Sequence, residues 1–221
     1  MKSSSRIEKN GRVAFTLIEM LVMISLLLVL MAFLSPGLKS ARDSAKSIQC
    51  INTLRQFHLA VLQYCQDNEE WLPPRYDSDG YWWPQTLVRH NYIKTKMHYG
   101  FYTLSNPNCN GIFACSSEKG VSAYDGTMTG WHGSHYGFNI YLNSTSAPGA
   151  KLCKLIDMQQ VHSKYVLIGD CSGSLRLGLS IASGTGAFRH HAKMNVVFMD
   201  GHCDSIEPSE MLDSSNTIWL P

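Results

Sequence analysis

Hydrophobic positions change their spacing twice along this chain of 221 residues. Residues 15–34 form an apolar run of 20 residues in which Glu19 is the only charge. At about 1.5 Å rise per residue, a helix of that length is about 30 Å long and matches the hydrocarbon core of a bilayer. The run is longer than the roughly 7–15 apolar residues of a secretory signal peptide, and no A-x-A site follows it, so a retained anchor is expected. After Pro36-Gly37 the pattern becomes amphipathic. Leu38, Ala41, Ala45, Ile48, Ile51, Leu54, Phe57 or His58, Val61 and Tyr64 recur every three or four residues, with Lys39, Arg42, Asp43, Lys46, Gln49, Asn52 and Arg55 between them. This predicts a helix to about Gln66, loosened or kinked at Pro36-Gly37 and stopped before Pro73-Pro74.

Beyond residue 67 the apolar runs are short. Tyr165 to Gly169 and Asn195 to Met199 are strand-like, the first closed by Asp170. Asp200-Gly201 then leads into His202-Cys203-Asp204-Ser205-Ile206, which predicts a hairpin with a type I′ turn. The Gly-, Ser- and Asn-rich stretches 103–111, 120–135 and 142–150 are expected loops. The resulting expectation is an α+β protein. A long N-terminal transmembrane helix packs through its second half on a small antiparallel β-sheet head with long loops.

Composition narrows the function classes. Charged residues make up 16 % and apolar residues 44 %, which is not a disordered composition. The first 14 residues hold Lys2, Arg6, Lys9 and Arg12 against Glu8, and the rest of the chain holds 15 basic and 16 acidic residues. No basic field addresses nucleic acid. The basic start ahead of the apolar run places the N-terminus in the cytoplasm and the bulk of the chain across the membrane. Seven cysteines, Cys50, Cys65, Cys109, Cys115, Cys153, Cys171 and Cys203, contain no C-x-x-C pair. In an extracytoplasmic head they are disulfide candidates, and the odd number leaves at least one unpaired within the chain.

The boundary Lys9-Asn10-Gly11-Arg12-Val13-Ala14 / Phe15-Thr16-Leu17-Ile18-Glu19 resembles the prepilin leader of type IV pilins and type II secretion pseudopilins. The resemblance implies cleavage between Ala14 and Phe15 by a prepilin peptidase, and N-methylation of Phe15 by the same enzyme. Ala14 stands where the family usually has glycine. Glu19 falls four residues after the phenylalanine and Pro36 follows the run, as in that family. A carboxylate within hydrocarbon costs roughly 2.5–3.5 kcal/mol and needs a partner. The resemblance gives Glu19 one, the N-terminal amine of a neighbouring subunit, whereas a plain interfacial glutamate needs only water.

A second resemblance covers most of the head. His190, nine residues, then Asp200-Gly201 is similar to the H-x9-D-G domain carried by many prepilin-type proteins of planctomycetes, verrucomicrobia and related bacteria. Cys50-Ile51-Asn52-Thr53-Leu54-Arg55-Gln56 resembles that family's C-x-x-N-L-[KR]-Q stretch with altered spacing. Asp67-Asn68 through Leu72-Pro73-Pro74, Phe113-Ala114-Cys115-Ser116-Ser117-Glu118 (serine in place of proline) and Tyr136-Gly137-Phe138-Asn139 resemble its other landmarks.

The chemistry-bearing residues weigh toward structure. His190, Asp200 and Gly201 are expected to hold the hairpin in register. A transition-metal or hydrolytic centre of His190, Asp200 and His202 requires those side chains to converge. Asp77 and Asp79 offer carboxylates to calcium but lack a full D-x-D-x-D-G loop, so a turn accounts for them. No G-x-S-x-G, H-E-x-x-H or P-loop occurs. No cofactor and no enzymatic activity are expected.

The parts are a leader at 1–14, a transmembrane helix at 15–36, its amphipathic continuation at 37–66 and a head at 67–221 with the motif at 190–201. Together they describe a single-pass inner-membrane pseudopilin with a periplasmic head. Its partners are the membrane, the prepilin peptidase/methyltransferase and other pseudopilin subunits, in a type II secretion or type IV pilus-like filament. The alternative is an anchored module that never polymerises and captures surface glycans on Trp71, Trp82 and Trp83.

Overall fold

The computed structural model describes residues 16–75, 77–95, 112–117, 134–143, 153–155, 163–171, 176–177 and 186–212. Ala14, Phe15, Cys109 and most of the three expected loops lie outside these residues.

Helix α1 (Leu17–Asp67) runs unbroken through Pro36. The chain divides into two units, 1–42 and 43–221. In the first, α1 is long and apolar enough to cross a membrane. From Leu17 to Leu34, fifteen large apolar side chains are 48–91 % exposed. At about 1.5–3 kcal/mol each, that surface leaves roughly 20–45 kcal/mol of burial unrealised in water. The helix starts with a reciprocal capping box. The Thr16 N–H and Oγ1 both donate to Glu19 Oε2 (2.8 Å each), and the Glu19 N–H donates to Thr16 Oγ1 (3.3 Å).

In the second unit, α1 buries Cys50, Leu54, Phe57, His58, Ala60, Val61 and Cys65. This face is rotated slightly from the expected stripe. Ile48 is exposed, and two cysteines occupy the positions that face the core. The helix ends where Glu69 and Glu70 take positive φ (52° and 66°), with the Glu70 N–H donating to the Cys65 carbonyl (2.8 Å). That is a Schellman-type closure, reinforced by Asn68 Nδ2 donating to the Tyr64 carbonyl (2.7 Å).

The remaining elements are α2 (Trp83–Arg89), β1 (Tyr136–Asn139), α3 (Ile140–Asn143), β2 (Val166–Asp170), β3 (Arg176–Leu177), β4 (Met194–Phe198), β5 (Cys203–Ile206) and α4 (Pro208–Leu212). The strands form one sheet in the order β3-β1-β2-β4-β5, antiparallel except for β1 with β3. The layout is therefore α+β, as the periodicity predicts, with β2 and β4 each displaced by one residue from the expected runs. Strands β1 and β3, in segments that carry no long apolar run, are additions.

The sheet is apolar on both faces. Tyr136, Phe138, Ile168 and Val197 join the α1 face, while Val166, Met194, Val196 and Ile206 form a second cluster. Burial on both sides explains why the strands read as continuous apolar runs rather than alternating ones. Phe57 of α1 contacts Tyr136 edge-on, stacks on Phe113 and meets Trp83 edge-on, with ring centroids 5.0–5.8 Å apart.

The type I′ turn expected at Asp200-Gly201 is replaced by another form. The Gly201 N–H donates to the Phe198 carbonyl (3.0 Å), the Phe198 N–H donates to the His202 carbonyl (2.9 Å), and of the loop residues Gly201 has positive φ (89°). This is a three-residue loop closed by a glycine bulge. Two consecutive positive φ values instead occur at His191 and Ala192 (52° and 60°), between residues His190 and Lys193 that exchange both backbone hydrogen bonds.

Gly201 is doubly constrained, because a Cβ there would stand 2.8 Å from His58 Cε1. Gly201→Ala is expected to destabilise the head by about 2–4 kcal/mol, from left-handed backbone strain plus overpacking. Ala192→Gly, which removes a strained Cβ, is expected to stabilise it by about 0.5–1 kcal/mol. Urea titration of the detergent-solubilised chain, followed by tryptophan fluorescence, measures both.

Candidate functional site

Four side chains capable of thiol, acid–base or metal chemistry converge where α1 meets the sheet. Cys50 is on the buried face of α1, Cys115 follows Phe113 in a turn, Asp170 ends β2, and His190 opens the tight turn before β4. All four are buried, and their ligand-type atoms lie within 4.8 Å of one another. Cys50 Sγ and Cys115 Sγ are 3.1 Å apart, and Cys115 Sγ lies 3.6 Å from His190 Nε2. His190 Nε2 is in turn 3.6 Å from Asp170 Oδ2.

The surroundings hold these groups in place. The Ser117 N–H donates to Cys115 Sγ (3.4 Å), and Ser117 Oγ is 3.5 Å from His190 Nδ1. The Cys115 N–H donates to His135 Nδ1 (2.8 Å). The Asn195 N–H donates to Asp170 Oδ2 (2.9 Å), while Asp170 Oδ1 is fully buried and accepts no hydrogen bond. Arg189 Nη2 lies 3.8 Å from Asp170 Oδ1 and donates to the carbonyls of His135 (2.8 Å) and Cys171 (3.1 Å).

The electrostatics follow from this packing. Cys50 and Cys115 share a hydrogen bond between their sulfurs, and that contact holds Cys115 far below the ordinary thiol value. Burial opposes the shift, and His190 and Arg189 reinforce it. Cys50 is raised correspondingly, by the same hydrogen bond and by burial. Burial pushes Asp170 up to about 7, against the pull of Arg189 and then His190. Two sulfurs, an imidazole and a carboxylate in one buried pocket can bind a soft or borderline cation or undergo thiol chemistry.

The sequence motif is split by this geometry. His190 belongs to the buried cluster. Asp200 and His202 sit at the exposed far end of β4, paired with each other through His202 Nδ1 and Asp200 Oδ1, with His202 stacked on Phe198 at 4.1 Å. Partial burial works to raise the Asp200 carboxyl, but the His202 backbone and ring donors outweigh it and hold it low. A centre of His190, Asp200 and His202 is therefore overturned: five residues of extended strand separate its members.

Asp77 Oδ1 accepts from the N–H groups of Asp79 (3.0 Å) and Tyr81 (2.8 Å), and its Oδ2 accepts from Thr86 Oγ1 (3.0 Å). Asp79 pairs with Arg89. Internal donors thus occupy both carboxylates in a turn leading into α2. Among the described residues no two cysteines are joined by a disulfide, and the Cys50–Cys115 contact is the one the site uses. Trp82 and Trp83 are 8 % and 0 % exposed, so the sugar platform loses two of its three rings to the core. Trp71 is 40 % exposed on a groove of about 530 Å³ with Tyr64, Asp67 and Glu69, and Lys154 Nζ lies 4.9 Å from its ring. No known protein family, no curated protein and no solved structure matches this chain.

Asp170 escaped the sequence reading because its position at the end of a strand marks it as a terminator there. A carboxylate ending an otherwise wholly apolar run was the one available signal.

Arg189→Met leaves Asp170 without its guanidinium neighbour and removes the side-chain donor to the His135 and Cys171 carbonyls, and should cost about 3–5 kcal/mol in denaturant unfolding. Trp83→Ala should cost about 3–5 kcal/mol in the same assay, whereas Trp71→Ala should cost about 1 kcal/mol or less.

Proposed function

We propose that this chain is a pilin-like structural subunit of a type II secretion or type IV pilus-like filament. A prepilin peptidase processes it between Ala14 and Phe15, and it is anchored in the inner membrane with its head outside the cytoplasm. The observation that carries this reading is the single helix Leu17–Asp67. Its first part exposes an apolar surface interrupted by one carboxylate, and its last part is built into an α+β head. A surface of that size needs lipid or other apolar helices around it. Lipid covers it in the membrane, and neighbouring subunits cover it in a filament.

Glu19 supplies the specificity. Within its own chain it caps the helix through Thr16. In the filament it meets the N-terminal amine of the next subunit, which only a chain cut before Phe15 can present at that depth. The head acts as filament surface, and the H-x9-D-G motif as structural support. His190 anchors the turn before β4, Asp200 holds His202, and Gly201 lets the loop close against His58. The reading assigns no enzymatic activity. Burial of Trp82 and Trp83 weighs against the non-polymerising glycan-capture alternative.

The N-terminus of the chain isolated from membranes tests this. Intact mass and N-terminal peptide sequencing should find Phe15 as the first residue, carrying one added methyl group. A chain still beginning at Met1 refutes the reading. Glu19→Gln should remain membrane-embedded while assembly, measured by cross-linking between subunits, falls about tenfold or more.

A further inference from the structure

The buried quartet has two properties that hydrogen bonding leaves unexplained. His190 and Asp170 face each other at 3.6 Å, too far for a good hydrogen bond, although both are buried and chemically complementary. Asp170 Oδ1, also buried, accepts no hydrogen bond among the described residues. Gaps of this kind between buried donors of electron pairs suit a cation seated among them.

We propose that Cys50 Sγ, Cys115 Sγ, His190 Nε2 and an oxygen of Asp170 form a four-coordinate structural zinc site. Zinc bonds of about 2.3 Å to sulfur and 2.0–2.2 Å to nitrogen or oxygen place tetrahedral ligands about 3.3–3.8 Å apart. The sulfur–nitrogen and nitrogen–oxygen separations are 3.6 Å each, and the sulfur–sulfur separation of 3.1 Å needs to open by roughly 0.6 Å.

Charge balances as well. Two thiolates and a carboxylate carry three negative charges, which one divalent ion and the adjacent Arg189 neutralise. Two sulfurs and an imidazole favour zinc over calcium or magnesium, which prefer all-oxygen sites. The outer contacts are of the kind that orient ligands: Ser117 Oγ at His190 Nδ1, the Ser117 N–H at Cys115 and the Asn195 N–H at Asp170. All four ligands are protein-derived and buried, which is the closed arrangement of a structural rather than a catalytic site. The ion would tie α1, the 115 turn, the end of β2 and the turn before β4 together. The inference stands independently of filament assembly, since it concerns the head alone.

The test uses the full chain in detergent, stripped with a chelator under reducing conditions and titrated with cobalt(II), then zinc. One cobalt per chain is expected, with the intense visible bands of tetrahedral cobalt and a thiolate charge-transfer band in the near ultraviolet, both abolished by stoichiometric zinc. Cys115→Ser and Asp170→Asn should weaken cobalt binding at least 100-fold, while Cys65→Ser should leave it unchanged. Absence of thiolate–cobalt bands in wild-type protein whose near-ultraviolet circular dichroism shows a folded head overturns the proposal. So does recovery of Cys50 and Cys115 as a disulfide-linked peptide pair from chain isolated without reductant.

Discussion

The buried face of α1 between Cys50 and Cys65 is the constraint on which the head depends. Seven side chains there are withdrawn from water, and Phe57 alone touches three other aromatic rings from separate parts of the chain. A sheet whose strands are two to five residues long has little stability of its own. It becomes stable by laying one face on the buried side of α1. The helix gains in return, because burial rather than intrinsic propensity supplies most helical stability.

The polar groups at that contact are few and specific. His58 reaches the Met199 carbonyl at 3.0 Å, Asn195 Nδ2 donates to Ser47 Oγ at 3.2 Å, and the Cys50, Cys115, Asp170 and His190 quartet lies beside them. Each pins a different strand or turn to the helix at one height. Apolar packing tolerates sliding, but a buried polar group that loses its partner does not, so these contacts set the register. The His58–Gly201 approach does the same sterically, leaving room for hydrogen and nothing larger.

The same helix serves two solvents. Its first part suits hydrocarbon and its last part suits a protein core, and the change happens without a break in the backbone. Pro36 does not interrupt it. The exposed apolar surface of the first part carries one charged side chain, Glu19, which caps the helix through Thr16.

The helix was legible because its signal is local: a predominantly apolar run of 20 residues with one charge, then a recurrence every three or four. The α+β class and the strands β2 and β4 were legible for the same reason, as was the hairpin at Asp200-Gly201, although the form of its turn was not. A local pattern states that glycine is needed but not which of two loop geometries uses it, and the His58 ring packed against Gly201 belongs to a residue 143 positions away. Cys50, Cys115, Asp170 and His190 are separated by 20 to 65 residues, so no spacing rule finds them, and only the strand order β1-β2-β4 and the rotation of α1 bring them together. Trp82 and Trp83 look alike in sequence to Trp71, yet two are core and one is surface, because exposure is a property of what packs against a residue. The sequence alone determined the elements that depend on near neighbours, and the tertiary structure decided which distant side chains share a pocket.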